Sequence, residues 1–304
     1  MKEPQRGWEM DKNELKKWHW GDRRDGVLLT KHVDSMHVFL PLMYVGRTNN
    51  EAFISERIDL TAVNEYLAKK NAESDDEFKY TLFHVIVAAM LKVGTLKPKL
   101  NRFICRKKLY QRRTLSAAFV VKKHFDEESA EGLAFLYADD NDNIDTLHEK
   151  LRNQIYPVKR GEGDSTSDAM DTLVKLPAPI LKAVGFGFRQ LGESGLIPHS
   201  LIASDPAYSS VFLTNLGSIK LKSGYHHLTN WGTNSLFVVV GERKVRPFFN
   251  EDGTFEMKDS VDIGLTIDER IADGYYYSQC VKLLQKLLAN PELLDDTLDT
   301  PVEI

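Results

Sequence analysis

At 304 residues the chain can hold one large domain or two ordinary ones, and 42% apolar residues are enough for a substantial core. With 40 Lys plus Arg against 44 Asp plus Glu, the net charge of −4 gives no global attraction to nucleic acid or to an anionic membrane. Two cysteines far apart (Cys105 and Cys280), an N-terminus without an apolar signal core, and no apolar run near ~18 residues point to a cytoplasmic chain with no spanning helix and little membrane contact.

The first stretch is charged and aromatic, with Trp8, Trp18 and Trp20, and suggests a helix at 10–19 within an extension over 1–21. Gly21-Asp-Arg-Arg-Asp-Gly26 is a polar turn, where Arg23 and Arg24 read most simply as solvated. Residues 36–47 form an apolar segment over the core. Asn50 to Ile58 reads as a strand, and Asp59 caps a helix from Leu60 to Lys70. After an acidic loop at 71–77, residues 78–93 are apolar nearly all round, as in a buried helix, with His84 packed inside. Two strands are predicted at 102–111 and 114–124. The basic run from Arg102 to Arg113 (Arg102, Arg106, Lys107, Lys108, Arg112, Arg113) is a solvated strand face or a phosphate-docking site.

A short strand at Leu133–Ala138 precedes a helix at Ile144–Gln154, opened by Asp142 or Asn143, and then a polar loop at 158–168. Residues 169–202 carry two short helices, Met170–Leu176 and Ile180–Leu191, rich in apolar side chains. They form a cap on the sheet, a lid, or a membrane-surface contact. Strands follow at Ser209–Gly217 and Ser235–Gly241, then a hairpin turn at Asn250–Gly253. Residues 261–267 alternate as a strand. Asp268-Glu-Arg-Ile-Ala-Asp-Gly274 breaks that pattern, and Tyr276, Cys280, Leu283, Leu284, Leu287 and Leu288 then take helical spacing. This strand-to-helix turn carries two carboxylates four apart, Glu269 and Asp273. The tail at 295–304 is acidic and expected to fray. There is no CxxC, Gly-rich phosphate loop or zinc-spaced His/Cys cluster, so no metal is expected.

The turn, with its helix ending in Asn290-Pro-Glu-Leu-Leu294, resembles the chloramphenicol acetyltransferase-like superfamily. It is most similar to the catalytic domain of 2-oxo acid dehydrogenase acyltransferases, whose motif reads Asp-His-Arg-x-x-Asp-Gly. The family's catalytic His is Glu269 here. A second resemblance lies in Phe212-Leu-Thr-Asn-Leu-Gly217, where the family has Phe-Thr-x-Ser-Asn-Leu-Gly; Thr214 takes the position of the Ser that hydrogen-bonds the oxyanion. The resemblance spans residues 22–294, with 169–202 as an insertion relative to short acyltransferase domains. It implies a single α/β domain with a mixed β-sheet flanked by helices, and a homotrimer with its site between subunits. The implied activity moves an acyl group between a thioester such as acyl-coenzyme A and a thiol or hydroxyl acceptor. Glu269 would be general base, Thr214 oxyanion donor, and Asp273 a structural brace held ionised by Arg24 or Arg23. Coenzyme A would dock its phosphates on Arg112 and Arg113. The family's lipoyl domain and linker have no room before residue 22, so a stand-alone domain with a lipoyl or acyl-carrier partner in trans is expected.

A carboxylate where the family keeps an imidazole changes the energetics. Full proton transfer from a thiol is uphill by about 2 pKa units to a His but about 4 to a Glu, an extra ~3 kcal/mol or roughly a hundredfold in rate. Burial can raise a Glu by up to ~3–5 units and restore the match. Two alternatives stand beside this reading: a non-catalytic trimeric scaffold or binding relative, and an enzyme whose base is His226 or His227 instead.

Overall fold

Strands that alternate between a helix-covered face and a loop-covered face dominate the architecture. The computed structural model describes residues 12–122, 131–159, 173–198, 202 and 205–304. Its main sheet is built from β2 (Glu51–Asp59), β5 (Leu115–Lys122), β6 (Glu131–Ala138), β7 (Val211–Asn215), β8 (Leu236–Val240), β9 (Lys244–Phe249) and β10 (Phe255–Asp268). The order is β2-β10-β8-β7-β5-β6, with β9 paired to the start of β10. β7 runs parallel to both β5 and β8, and the other ladders are antiparallel, so the sheet is mixed. The β9–β10 hairpin closes at Gly253 with φ +84°, in the Asn250–Gly253 turn expected from sequence.

Leu213, Val238, Val240, Ile263 and Leu265 on one face join the core formed by α3 (Thr61–Ala72), α4 (Leu82–Leu96), α5 (Ile144–Lys159) and α7 (Gly274–Ala289). α4 is the central helix, buried from His84 to Val93. His84 closes a capping box with Thr81 and packs among Phe78, Tyr80 and His148. Burial pushes its imidazole down to about 3, so it is a neutral core histidine. α3 starts at Thr61 with Leu60 in the cap position, one residue later than expected; Asp59, just before it, still accepts hydrogen bonds from the Thr61 N–H and hydroxyl.

Several expectations need correction. The stretch 102–111 is two strands, β3 (Arg102–Cys105) and β4 (Lys108–Arg112), turning through Arg106 and Lys107 at φ 46° and 59°. They form a separate three-stranded sheet, β1-β4-β3, with β1 (Gly26–Leu28). Among the described residues, the N-terminal helix is α1 (Lys12–Lys16), which stops short of residue 19. The 36–47 segment contains α2 (Ser35–Met43), but Met36, Phe39, Leu42 and Met43 are exposed and only Pro41 of the helix is buried. The acidic tail does not fray: Leu298 is buried in the main core and donates its N–H to the Asp142 carbonyl. Lys92, fully buried on α4, donates its ammonium to the carbonyls of Leu293, Asp296 and Thr297. The polar loop from 160 onward and the start of the first inserted helix lie outside the described residues. The second inserted helix is α6 (Ala178–Ser194), ending at Gly195 in the left-handed region. Among the described residues, no helix is long and apolar enough to cross a membrane.

On the sheet face away from the helices, Phe237, Val239 and Leu228 form a second cluster under the 218–234 loop. Gly264 of β10 allows the loop to lie flat, since a Cβ there would collide with the Gly224 carbonyl oxygen. Gly264→Ala should therefore lower unfolding stability by about 1–3 kcal/mol, read by chemical denaturation, because backbone rather than a flexible side chain must move.

Candidate active site

The turn after β10 is held by charge. Asp268 is fully buried and accepts two side-chain hydrogen bonds from Arg270, Nε at 2.8 Å and Nη2 at 2.7 Å. Arg47 approaches the same carboxylate at 3.6 Å. Both arginines also clamp backbone. Arg270 donates to the carbonyls of Tyr44 and Val45, just after α2. Arg47 donates to the carbonyls of Thr229, Gly232 and Ile104. Burial pulls the Arg47 guanidinium below its usual range, and the Asp268 charge opposes that. Tyr277 closes the turn from below, donating its hydroxyl to the Asp268 carbonyl and accepting from the Ala272 N–H. Burial and the Asp268 charge drive that phenol well above its ordinary value, so it stays protonated.

So braced, the turn presents Glu269. Its N–H donates to the Asn50 carbonyl at 2.8 Å, while its side chain is exposed. Burial of this carboxylate therefore requires something beyond one chain. Asp273 is exposed and caps α7, accepting from the Tyr276 N–H at 2.9 Å. Arg23 and Arg24 do not hold it: Arg23 pairs with Asp25 at 2.8 Å and donates to the Gly192 and Glu193 carbonyls at the end of α6, and Arg24 is exposed. The bracing pair is Arg270 and Arg47 on Asp268. Arg270 and Asp268 flank Glu269 in the motif, which was the available signal; Arg47 had none.

Thr214 lies on β7, half-buried, on the face opposite Leu213. Its ladder partner is Val239, whose partner on β10 is Gly264. Glu269 is thus two strands across and five residues along. At ~4.8 Å per strand and ~3.3 Å per residue the two positions are roughly 20 Å apart. One chain does not bring them together.

A third element reaches the Glu269 rim. Glu51 is the ladder partner of Asp268, and its buried carboxylate accepts from His227 Nδ1 at 2.8 Å and from the Leu228 N–H at 2.6 Å. The His227 ring is 81% exposed, so its other nitrogen faces outward. His226 stacks on Phe237 at 4.3 Å, with its Nδ1 engaged by the His227 carbonyl. The sequence named both histidines, but only His227 carries an orienting carboxylate. Arg112 is buried against the carbonyls of Tyr208 and Thr233, and Arg113 pairs with Asp22 and caps the Leu15 and Lys17 carbonyls, so neither offers an open face to a phosphate from solvent. Among the described residues, no group of three or more His, Cys, Asp or Glu could hold a metal ion.

A mixed sheet with helices on one face, a hydroxyl strand in its middle and a charged strand-to-helix turn at its end define an α/β protein of the acyltransferase type of fold. The fold is chloramphenicol acetyltransferase-like. The cubic core of a pyruvate dehydrogenase multienzyme complex is similar at a TM-score of 0.58 and 12% identity, over 92% of this chain and 94% of that one. Azotobacter vinelandii dihydrolipoamide acetyltransferase, investigated for the catalytic roles of a serine, a histidine and an asparagine, is similar at 0.57 and 14%, over 88% and 97%. A chloramphenicol acetyltransferase is similar at 0.52 and 13%, over 86% and 99%. No protein-family model matches the chain, and no curated protein matches its sequence.

Proposed function

We propose that the protein is an acyltransferase, moving an acyl group between a thioester such as acyl-coenzyme A and a thiol or hydroxyl acceptor. The observation that carries this reading is the buried Asp268–Arg270–Arg47 clamp, which holds Glu269 out at the motif position on a fold shared with acetyltransferases. In the reaction, Glu269 takes the acceptor proton as its sulfur or oxygen attacks the thioester carbonyl. The Thr214 hydroxyl donates to the oxyanion. Collapse expels the coenzyme A thiolate, which recovers the proton from Glu269.

The roughly 20 Å between Glu269 and Thr214 within one chain means that a second copy must supply one of them. Exposed apolar side chains favour self-association: Met36, Phe39, Leu42 and Met43 around α2, and Val245, Phe249, Phe255 and Met257 on the β9–β10 hairpin. A homotrimer is the assembly proposed, working in the cytoplasm with acyl thioesters or with a lipoyl or acyl-carrier partner in trans. Closure of the interface would bury Glu269 and raise its affinity for the proton.

A second reading is favoured by the Glu51–His227 contact, an imidazole oriented by a buried carboxylate as in catalytic dyads. The two bases separate in one experiment. A panel of acyl-coenzyme A thioesters is offered with thiol acceptors, and transfer is followed by mass spectrometry. His227→Ala is expected to keep activity within severalfold of the parent, whereas loss of at least ~10²-fold would move the base to His227. Coenzyme A binding without transfer by the parent protein would leave only a binding or scaffold role.

A further inference from the structure

No residue of the inserted helix α6 is buried from Ala178 to Leu191, and a Cβ at Gly185 or Gly187 would meet nothing within 4 Å. The helix is anchored at its C-terminal end. A Cβ on the buried Gly192 would collide with the Tyr208 hydroxyl, Arg23 holds the Gly192 and Glu193 carbonyls, and Phe188 stacks on Trp231 at 5.8 Å.

The exposed side chains divide by kind. Turning about 100° per residue puts Ile180, Val184 and Leu191 within about 40° of one another, with Lys182 and Arg189 on the opposite face. Ile180 is 50% exposed and Leu191 45%, and Phe186, beside Lys182 on the next turn, is 66% exposed. A core helix hides its apolar face; a helix lying in a membrane interface presents one, backed by Lys and Arg.

Charge selects the occupant. Residues 173–198 hold three basic side chains, Lys175, Lys182 and Arg189, and one acid, Glu193, which Arg189 pairs at 3.0 Å. The β3–β4 turn adds Arg106, Lys107 and Lys108, all exposed. Arg106 reaches Gln190 at 3.5 Å and Glu193 at 4.0 Å, so this turn lies against α6. Gln190 sits about 80° round the helix from Ile180, which sets the basic turn at the border of the apolar face. The net charge of −4 does not cancel this patch, because exposed charges act over about 10 Å. A second copy docking face to face would set the basic patch against itself. Anionic headgroups over hydrocarbon match both features, since lysine stems can lie along the apolar layer with their ammonium groups at headgroup level.

We propose that α6 and the β3–β4 turn form a peripheral docking surface for an anionic lipid bilayer. The surface is separate from the acyl-transfer reading and does not depend on it.

The test mixes the whole protein with dense vesicles of phosphatidylcholine, with and without phosphatidylglycerol, and measures the fraction that sediments with lipid. Binding is expected with phosphatidylglycerol, at least tenfold weaker without it, and weaker at high salt. Ile180→Asp places a carboxylate in the first turn of α6, where the helix tolerates it, and should weaken binding about tenfold. Lys107→Glu with Lys108→Glu should weaken it by at least as much. The melting midpoint and the sedimentation coefficient without lipid should stay those of the parent in both variants. No binding to phosphatidylglycerol vesicles, or equal binding by the parent and Ile180→Asp, would overturn the proposal. So would a loss of self-association in Ile180→Asp, which would show that a second copy covers α6.

Discussion

Glu269→Gln is expected to lower acyl transfer by ~10²–10⁴-fold, the usual range for a lost general base. The amide has nearly the same size and no basicity. Glu269 is exposed in the single chain, and its backbone N–H bond to Asn50 does not involve the side chain. The substitution should therefore leave unfolding stability within about 0.5 kcal/mol and the assembly unchanged. Release of coenzyme A thiol, followed alongside sedimentation of the variant, separates lost chemistry from lost structure. Activity equal to the parent would remove Glu269 from the mechanism.

The second large effect is structural. Arg270→Met leaves Asp268 fully buried with Arg47 as the remaining cation near it, at 3.6 Å, and the residue-270 backbone N–H at 3.3 Å. Removing one partner of a buried pair costs about 3–5 kcal/mol, because the remaining charge stays out of water without its side-chain hydrogen bonds. The loss should appear in denaturant unfolding, and activity should fall with it because the turn loses its grip on Tyr44 and Val45. Asp268→Asn in the same background should recover part of the stability, since the stranded charge is gone. A single variant as stable as the parent would mean that Arg47 and backbone donors suffice.

Much of this was legible in the order of residues. The alternation at 261–267, the break at Asp268 and the helical spacing after Tyr275 mark the turn that the structure builds. Leu213 between Phe212 and Thr214 fixes which face the hydroxyl takes. The bracing was harder. Asp273 obeys a local rule, three residues before the N–H it caps, and among the described residues no arginine forms an ion pair with it. Arg47 belongs to a segment whose apolar character concealed its one long charged side chain, and nothing local predicts a contact with β10. Acidity alone predicts a frayed tail, although Lys92 inside an otherwise apolar helix signals that some polar group has to come to it. The Arg106–Lys107 turn carries neither Gly nor Asn despite positive φ at both residues, so the break between β3 and β4 left no mark in the sequence.

Mixing two inactive variants tests the shared site directly. Glu269→Gln and Thr214→Ala are each made alone and then co-expressed in equal amounts. If a site joins the turn of one subunit to the hydroxyl strand of its neighbour, roughly one site in four in a random trimer pairs an intact Glu269 with an intact Thr214. The mixture should then recover about a quarter of the parent's acyl transfer. A mixture no more active than either variant, with the parent active, would contradict it.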